Sequence, residues 1–442
     1  WYGSAYWNNE EDYLAKKLAS TLFYSTNTEH QARKCHASTV VGLVPAYGFG
    51  CMTNHVIDAK NSKIFLIMSN PAESHTMEFK WVRKAIDENG AKVIVLDPRY
   101  NKTTTQADIY AKYRSGSEAA FWLGMIKFII DNKRFDTKMV NDRSNAPYDL
   151  NGKKVGIDHP DSIFNKLKAL VSSYTEDEVV RITGMPKDKL LQVYDVFTDP
   201  ANRPGNIYYA MGTTQHTNAV QAIRAYSIVQ LLLGNVGVPG GGVNALRGIS
   251  NVQGSTDMNV LAHVIMGYRS PPATVAEIRR YQKWKNGLGP GTTGDKDKDA
   301  KTRGGNPDPA RVTYPYEVPK PEVPSDGAYY ARYDDRHFPT WNSLEYHWGL
   351  YVGTWPGKDP DNEPVVCDLP VGAGNYTVQF YRAIGDGKIK VAFIVGDNSA
   401  VSVSDADRVR ASLSKEGFFL VVNELFETET AHYADILLPG TT

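Results

Sequence analysis

Short, wholly apolar segments separated by helical patterns limit the folds open to this chain more than any other feature of its sequence. Residues 63–68 form such a segment, residues 75–89 have the spacing of a helix, and residues 91–96 form the next apolar segment. Strands that are apolar at every position, instead of at alternate positions, are typical of parallel sheets covered on both faces. The same order starts again at residues 206–211 and 390–395. The sequence therefore predicts an α/β fold with doubly wound, mostly parallel sheets.

The length and charge of the chain restrict its organisation and its partners. With 442 residues it exceeds the size at which one core usually stops growing, so we expect two domains. Basic and acidic residues number 49 each, which favours neither nucleic-acid binding nor electrostatic attachment to a membrane. No apolar segment reaches the roughly 18 residues of a membrane-spanning helix. Residues 285–340 are rich in glycine, proline, lysine and aspartate, and we expect a long surface excursion there.

The three cysteines of the chain exclude several kinds of site. They are too few for a disulfide framework, their spacing matches no zinc motif, and they cannot supply the four thiolates of an iron–sulfur cluster. Free cysteines usually behave as small apolar residues, and we expect Cys51 and Cys367 to be buried in that way.

Cys35 differs from the other two cysteines because Arg33, Lys34 and His36 are its neighbours. A positive surrounding lowers the pKa of a thiol and makes the thiolate available. A thiolate is a soft ligand for a heavy metal, and the adjacent imidazole can stabilise it or move a proton. We therefore predict that Cys35 and His36 belong to a reactive or metal-binding site.

Polar residues follow the first two apolar segments, and the ligands of parallel sheets bind beyond the carboxyl ends of the strands. Asn70, Glu73 and His75 follow the first segment, and Asp97 and Arg99 follow the second. An aspartate there can accept hydrogen bonds from ribose hydroxyls or a guanine edge, and an arginine can pair with phosphate. Because the fingerprint G-x-G-x-x-G is missing, two interpretations stay open: a nucleotide site, or turns that only end strands.

A third polar turn, residues 212–218, carries small, hydroxyl and amide side chains at a strand-to-helix junction. Free backbone N–H groups at such a junction favour anions. His216 either contacts a ligand there or is a solvated capping residue, and the sequence leaves both interpretations open.

Three consecutive glycines, Gly240 to Gly242, come shortly before Arg247 and Gly248. Glycine permits backbone conformations and a close approach of ligands that side chains forbid. Arg247 is either a clamp for an anion or an arginine on a flexible surface turn. Glycines on both sides of an otherwise uncharged stretch favour the clamp.

Six motifs occur in order along the chain: residues 33–36, 52–55, 96–99, 215–218, 231–235 and 240–254. Together they resemble the catalytic subunit of molybdenum- or tungsten-dependent formate dehydrogenases, within the molybdopterin oxidoreductase family. The likeness is greatest to the respiratory, membrane-associated type. It extends over nearly the whole chain and is weakest from about residue 270 to 380.

The resemblance implies a molybdenum or tungsten ion held by two molybdopterin guanine dinucleotides, and the conversion of formate to carbon dioxide or the reverse. Cys35 falls at the position of the protein ligand to the metal, which is often selenocysteine in such subunits. Arg247 is expected to hold the formate carboxylate, and His36 to manage a proton. The pair Cys35-His36 together with Arg247 favours formate. The alternatives are a related enzyme for another small oxyanion or sulfur substrate, and an inactive scaffold that binds cofactor.

The resemblance also assigns cofactor contacts. The first dinucleotide would lie near Asn70, Glu73, His75, Asp97, Arg99, Gly212, Gln215, His216, Gly234 and Asn235. The second would lie near Gly396, Asn398, Asn423, Thr428 and Asp435. In such subunits a domain with the metal ligand is inserted into another domain. This corresponds here to residues 31–249 inserted between 1–30 and 250–442.

Two regions of such subunits have no counterpart in the sequence: an N-terminal four-cysteine domain that holds a 4Fe–4S cluster, and a C-terminal β-rich domain. We therefore expect the chain to be a processed form or a fragment, and its first residue, Trp1, agrees with that. The resemblance implies an iron–sulfur electron-transfer subunit and a membrane cytochrome subunit as partners. It implies a periplasmic location, with the cytoplasm as the alternative.

Overall fold

The computed structural model describes residues 1–264, apart from Ser4, Leu22 and Tyr24, and residues 372–441. Cys367 and the excursion expected at 285–340 lie outside the described residues. The chain divides into two compact units. Among the described residues, the first unit comprises 35–248, and the second comprises 1–34, 249–264 and 372–441. The inserted domain at 31–249 stays a prediction.

Helices alternate with strands along most of the described chain. The α-helices are α1 (Asn9–Thr21), α2 (Ala32–Cys35), α3 (Ala37–Tyr47), α4 (Pro71–Ser74), α5 (Thr76–Asn89), α6 (Glu118–Asp131), α7 (Thr137–Asp142), α8 (Ile163–Val171), α9 (Glu176–Thr183), α10 (Lys187–Thr198), α11 (Met211–Thr214), α12 (Ala219–Leu232), α13 (Val252–Asp257), α14 (Thr377–Gly385), α15 (Ser399–Ser402) and α16 (Ala406–Leu413). Short 3-10 helices occur at Val56–Asn61, Thr104–Gln106, Pro200–Asn202 and Ala431–Tyr433.

Five parallel strands form the sheet of the first unit, in the order β3-β2-β1-β4-β5. They are β1 (Ile64–Met68), β2 (Lys92–Leu96), β3 (Ile109–Ala111), β4 (Gly205–Tyr209) and β5 (Val243–Ala245). The α/β fold with parallel strands, predicted from the apolar segments, is confirmed. The strand order reverses between β1 and β4, and ligands of such sheets bind near the reversal, beyond the carboxyl ends of the strands.

Both faces of this sheet are buried, which explains why its strands are apolar at every position. Neighbouring residues of a strand point to opposite faces. Leu66 and Ile207 therefore pack into the core formed with α3, α6 and α12, whereas Phe65 and Val93 pack into the core formed with α5. Trp122 of α6 is fully buried in the larger of these cores.

A second parallel sheet, in the order β6-β7-β8, organises the second unit. Its strands are β6 (Val391–Val395), β7 (Phe419–Glu424) and β8 (Ile436–Pro439). Tyr2 forms parallel bridges with Ile394 and with Glu29, so the first residues of the chain extend this sheet. Phe380 and Val422 belong to its buried core. Among the described helices, none is both long and apolar enough to cross a membrane.

The glycine-rich stretch before Arg247 packs against another loop of the same chain. A Cβ atom on Gly242, whose φ is +93°, would lie 1.9 Å from Oγ1 of Thr53 and 2.2 Å from Oδ1 of Asn54. A Cβ atom on Gly240 would lie 2.6 Å from the carbonyl oxygen of Asn61. Another loop of the chain therefore makes the close approach that was expected of a ligand. These glycines lead into β5 and do not line a site.

Substitution of Gly242 by alanine is expected to destabilise the protein by about 3 kcal/mol, because it combines a left-handed backbone with overpacking. Urea unfolding of the purified protein measures the effect. The control is Gly248→Ala, since no atom lies within 4 Å of the Cβ position at Gly248. Equal unfolding midpoints for the two variants would contradict this account of the glycines.

Candidate functional site

Cys35 lies at the carboxyl edge of the five-stranded sheet. It is the last residue of α2, and its Sγ atom lies 3.5 Å from Sδ of Met211, the first residue of α11. That helix follows β4 directly. His36 comes next in the chain, just before α3, and its imidazole is buried. The fold therefore brings Cys35 to the edge where ligands of parallel sheets bind.

Arg247 follows β5 and lies at the same edge. Its Nη2 atom donates a hydrogen bond of 2.6 Å to the carbonyl oxygen of Gly50. Its Nε and Nη1 atoms are buried and have no hydrogen-bond partner among the described residues. A buried guanidinium whose Nε and Nη1 atoms have no acceptor is costly unless an anion accepts from them. This geometry favours the anion clamp over a surface arginine.

The electrostatic surroundings of Cys35 differ from the prediction. Burial raises the pKa of the Cys35 thiol, and Arg247 opposes that rise. Arg33 donates to Glu29 at 2.9 Å, and Lys34 donates to Asp397 at 2.7 Å. The expectation that basic neighbours lower the pKa of this thiol was wrong, because their charges are engaged by carboxylates of the second unit.

Cys51 also interacts with Arg247. Burial lowers the pKa of the Arg247 guanidinium, and Tyr209 and the thiols of Cys35 and Cys51 oppose that shift. Cys51 is only partly buried, so the expectation of a buried apolar residue was wrong. Two thiols and two phenols, those of Tyr209 and Tyr226, therefore lie around one buried arginine in the first unit.

The loop after β1 is held by its own side chains. The amide nitrogen of Asn70 donates to Glu73 at 2.6 Å, and its amide oxygen accepts from the Thr103 hydroxyl at 2.9 Å. Nε2 of His75 donates to the carbonyl oxygen of Arg247 at 2.9 Å. This bond places the start of α5 beside Arg247, whose guanidinium is only partly paired.

The loop after β2 is organised around a carboxylate. Asp97 accepts from the backbone N–H of Arg99 at 2.8 Å and from the amide of Asn101 at 2.9 Å. Burial raises the pKa of Asp97, and these hydrogen bonds oppose the rise. The Arg99 side chain is exposed beyond the strand end. Ser69, just after β1, has a buried hydroxyl without a partner among the described residues.

The loop after β4 is partly open. Gly212 is exposed, and a Cβ atom there would meet no atom within 4 Å. Gln215 is exposed as well. His216 lies 3.7 Å from the buried carboxylate of Glu118, which also accepts from the Tyr113 hydroxyl. Gly212 and Gln215 are therefore exposed at the carboxyl edge, whereas His216 faces a carboxylate of its own unit.

Gly234 and Asn235 lie at the opposite edge of the sheet. The amide oxygen of Asn235 accepts from the backbone N–H of Gly205, the first residue of β4, at 3.1 Å. Its amide nitrogen donates to Gln230 at 2.9 Å, and the side chain is buried. Gly234 has a φ of +72° and packs against Asp136. Both residues brace the amino end of the sheet, which corrects their expected role in cofactor binding.

In the second unit, four of the five predicted residues lie at the carboxyl edge of the sheet. Gly396 and Asn398 follow β6, Asn423 is near the end of β7, and Thr428 lies in the loop after β7. The Thr428 hydroxyl is buried without a partner among the described residues. Asp435 is the exception. Its carboxylate accepts from the backbone N–H of Leu420 at the amino end of β7, at 2.7 Å, which corrects its expected cofactor role.

Two threonines with a central place in these loops were missed by the sequence reasoning. Thr103 and Thr430 are fully buried and bind Asn70 and Asn398, respectively. Each begins the motif T-x-x-x-A-D-I, at residues 103–109 and 430–436. A search for internal repeats would have found them.

Comparison with known proteins identifies the family. The profile described as "Molybdopterin oxidoreductase" matches residues 2–442. The chain belongs to the molybdopterin oxidoreductase family. The chain is 35% identical to formate dehydrogenase subunit alpha of Megalodesulfovibrio gigas, covering 98% of this chain and 42% of that protein. It is 31% identical to the formate dehydrogenase-O major subunit of Escherichia coli, covering 96% of this chain and 42% of that protein.

A solved structure shares the fold of this molybdopterin oxidoreductase chain. Acetylene hydratase from Pelobacter acetylenicus superposes with a TM-score of 0.59 at 19% identity, covering 99% of this chain and 48% of that chain. At this identity the likeness concerns the fold alone. The chain thus spans less than half the length of the formate dehydrogenase subunits and of the hydratase named above.

Membership of the molybdopterin oxidoreductase family implies a molybdopterin cofactor with molybdenum or tungsten. The residues of this chain fit such a group. Unpaired buried donors or hydroxyls occur at strand ends in both units: Arg247, Ser69 and Thr428. Among the described residues, no group of three or more His, Cys, Asp or Glu could hold a metal ion. A metal at Cys35 would therefore take most of its ligands from the cofactor.

Proposed function

We propose that this chain is the catalytic core of a formate dehydrogenase, which oxidises formate to carbon dioxide or runs the reverse reaction. The observation that carries the proposal is the buried guanidinium of Arg247, whose Nε and Nη1 atoms have no partner among the described residues. It interacts with the thiol of Cys35, the predicted metal ligand. The identity of 35% to a formate dehydrogenase subunit over 98% of the chain supports the same substrate.

Formate suits this arrangement because it is a small anion. An unpaired N–H group of Arg247 would donate to its carboxylate and aim its C–H bond. Oxidation of formate yields carbon dioxide, one proton and two electrons, and the bound molybdenum or tungsten cofactor supplies the acceptor for those electrons. Cys35 would ligate the metal through its thiolate. The buried imidazole of His36 would take up or release the proton near the reacting carbon.

The proposal includes the form of the cofactor. Two molybdopterin guanine dinucleotides are proposed, one beside the carboxyl edge of each parallel sheet. Asp97 and Arg99 would contact the nucleotide of the first, and Asn423 and Thr428 that of the second. The orphan hydroxyls of Ser69 and Thr428 support this placement.

The electron path is also part of the proposal. A 4Fe–4S cluster in the complete subunit, an iron–sulfur partner subunit and a membrane cytochrome subunit would carry the electrons away. A periplasmic location is proposed, since the resemblance is greatest to the respiratory type.

Formate-dependent reduction of a viologen dye by the native holoprotein tests the proposal. We expect turnover with formate and none with nitrate, thiosulfate or polysulfide. Metal and pterin analysis accompanies the assay. If a protein that contains metal and pterin is inert to formate but active on another of these compounds, that compound replaces formate as the proposed substrate. A native protein without metal and pterin would favour a scaffold.

A further inference from the structure

The carboxyl edge of the first sheet contains a compact hydrogen-bonded tie, which we name the first bracket. It consists of Asn70, Ala72, Glu73 and Thr103. The Asn70 amide oxygen accepts from the backbone N–H of Thr103 at 3.2 Å and from its hydroxyl at 2.9 Å. The Thr103 hydroxyl accepts from the backbone N–H of Ala72 at 3.0 Å, and the Asn70 amide nitrogen donates to Glu73 at 2.6 Å. The tie joins the loop after β1 to the loop after β2.

The second sheet contains the same tie, the second bracket, formed by Asn398, Ala400, Glu429 and Thr430. The Asn398 amide oxygen accepts from the backbone N–H of Thr430 at 3.1 Å and from its hydroxyl at 2.9 Å. The Thr430 hydroxyl accepts from the backbone N–H of Ala400 at 2.9 Å, and the Asn398 amide nitrogen donates to Glu429 at 2.5 Å. Here the glutamate comes from the threonine loop, whereas in the first bracket it comes from the asparagine loop.

The threonines at the centre of the brackets are shielded from solvent, and their hydroxyls both donate and accept hydrogen bonds. Thr103 and Thr430 are both 0% exposed. Each hydroxyl donates one hydrogen bond and accepts another, and each asparagine oxygen accepts two. A buried polar network in which every member is satisfied is rigid and specifies one arrangement. The threonine hydroxyls therefore have no donor left for a ligand and no exposed surface, so we expect them to act on the loops that they join.

The loops that the brackets hold carry the groups that are available to a ligand. Asp97 and Arg99 precede Thr103 in the first loop, and Thr428, with its buried unpaired hydroxyl, precedes Thr430 in the second. Both loops extend beyond the carboxyl ends of adjacent parallel strands, which is the binding position in such sheets. The occurrence of the same hydrogen-bonded arrangement at two such positions indicates that both brackets have the same function.

We infer that Thr103 and Thr430 are positioning residues, each of which holds one nucleotide-binding loop in the shape that receives one copy of the dinucleotide cofactor. This inference rests on the proposed function. A loop ordered before binding does not lose its freedom when the ligand arrives, so the affinity is higher. Because each bracket is confined to its own unit, the two loops respond to substitution separately.

Reciprocal substitutions in the native holoprotein test the inference. Thr103→Val and Thr430→Val keep the volume of the side chain and remove its hydroxyl. Loss of one satisfied hydrogen-bonding group is expected to speed amide hydrogen exchange about tenfold in the loop of that bracket alone, residues 97–102 or 425–429. Acid-released guanine nucleotide is expected to fall from two per chain toward one in each variant. Thr→Ser at either position restores the hydroxyl and is expected to restore both readouts.

The matched control is Thr105→Val, because the Thr105 hydroxyl donates to the carbonyl oxygen of Lys102 outside the bracket and the residue is exposed. If Thr430→Val does not fold, Asn398→Asp opens the second bracket by placing two carboxylates together while Thr430 stays in place. Exchange in β7 reports whether the unit remains folded.

Several outcomes would overturn the inference. One is that the valine variants keep the wild-type rate of amide hydrogen exchange and two nucleotides per chain. Another is that either substitution changes exchange equally in both loops. A third is that the serine variants are as impaired as the valine variants. Other results would contradict the proposed function without contradicting this inference. If the wild-type protein holds two nucleotides but is inert to formate, formate is not its substrate. The positioning role of the two threonines still stands in that case, provided that each valine variant affects only its own loop. A wild-type protein without nucleotide overturns both.

Discussion

Replacement of Arg247 by lysine is expected to lower kcat/KM for formate by about a thousandfold. Lysine keeps the positive charge but lacks the planar fork that can bind a carboxylate with two parallel hydrogen bonds. Nε and Nη1 are the two atoms of Arg247 without a partner among the described residues, and lysine supplies neither of them. Steady-state kinetics of the holoprotein measure the change.

The control for this prediction is Arg203→Lys. Arg203 is also partly buried in the first unit, where burial lowers its pKa, and it donates to the carbonyl oxygen of Arg134. It lies next to the amino end of β4, away from Arg247 at the carboxyl edge. We expect kcat/KM within about threefold of wild type for the control, since ordinary substitutions away from such features have small effects. A similar loss in both variants would show a general effect of buried arginines and contradict a substrate role for Arg247.

Replacement of Cys35 by alanine is expected to lower formate turnover by more than about a hundredfold, which exceeds the usual effect of removing a group that only supports a metal ligand. The thiolate is the soft donor at this edge of the sheet, and alanine supplies none. Electron paramagnetic resonance of the holoprotein is expected to change with activity, because the ligand set of the metal changes. Metal content measured on the same sample separates loss of the metal from loss of one ligand.

Cys51→Ala provides the matched control for Cys35. Both cysteines are partly buried and both interact with Arg247. Only Cys35 is a predicted metal ligand, and its sulfur lies 3.5 Å from that of Met211. The Cys51 variant is expected to keep the wild-type resonance and most of its activity. Wild-type resonance in the Cys35 variant, or loss of the signal in both, would remove Cys35 as the ligand.

The strands were predictable because their signal is local. A segment that is apolar at every position needs no distant information to indicate a strand buried on both faces. Residues 63–68 and 91–96 accordingly became β1 and β2. The polar residues just after those strands, such as Asn70 and Asp97, were placed at the carboxyl edge by the same reasoning.

Side-chain partners were not predictable in this way. The sequence places Arg33 and Lys34 beside Cys35, yet carboxylates at Glu29 and Asp397 engage both. Asn70 and Asn398 looked like ligand contacts, whereas their amides hold loops together through Thr103 and Thr430. Apart from Arg33 and Glu29, which are four residues apart, these partners are far apart in the chain, and a single sequence does not state which residues meet.

The sequence by itself determined the α/β class and the parallel strands, because these depend on patterns within about ten residues. Only the tertiary structure decided which edge of a sheet is occupied by polar residues that do not directly follow a predicted strand. Gly234, Asn235 and Asp435 have the polar or flexible character expected of a ligand loop, but they brace the amino ends of strands. The strand order and the crossover connections determine at which edge of the sheet a residue lies. Both depend on how the helices pack against the two faces of each sheet. The same packing brings Arg247 to Cys35.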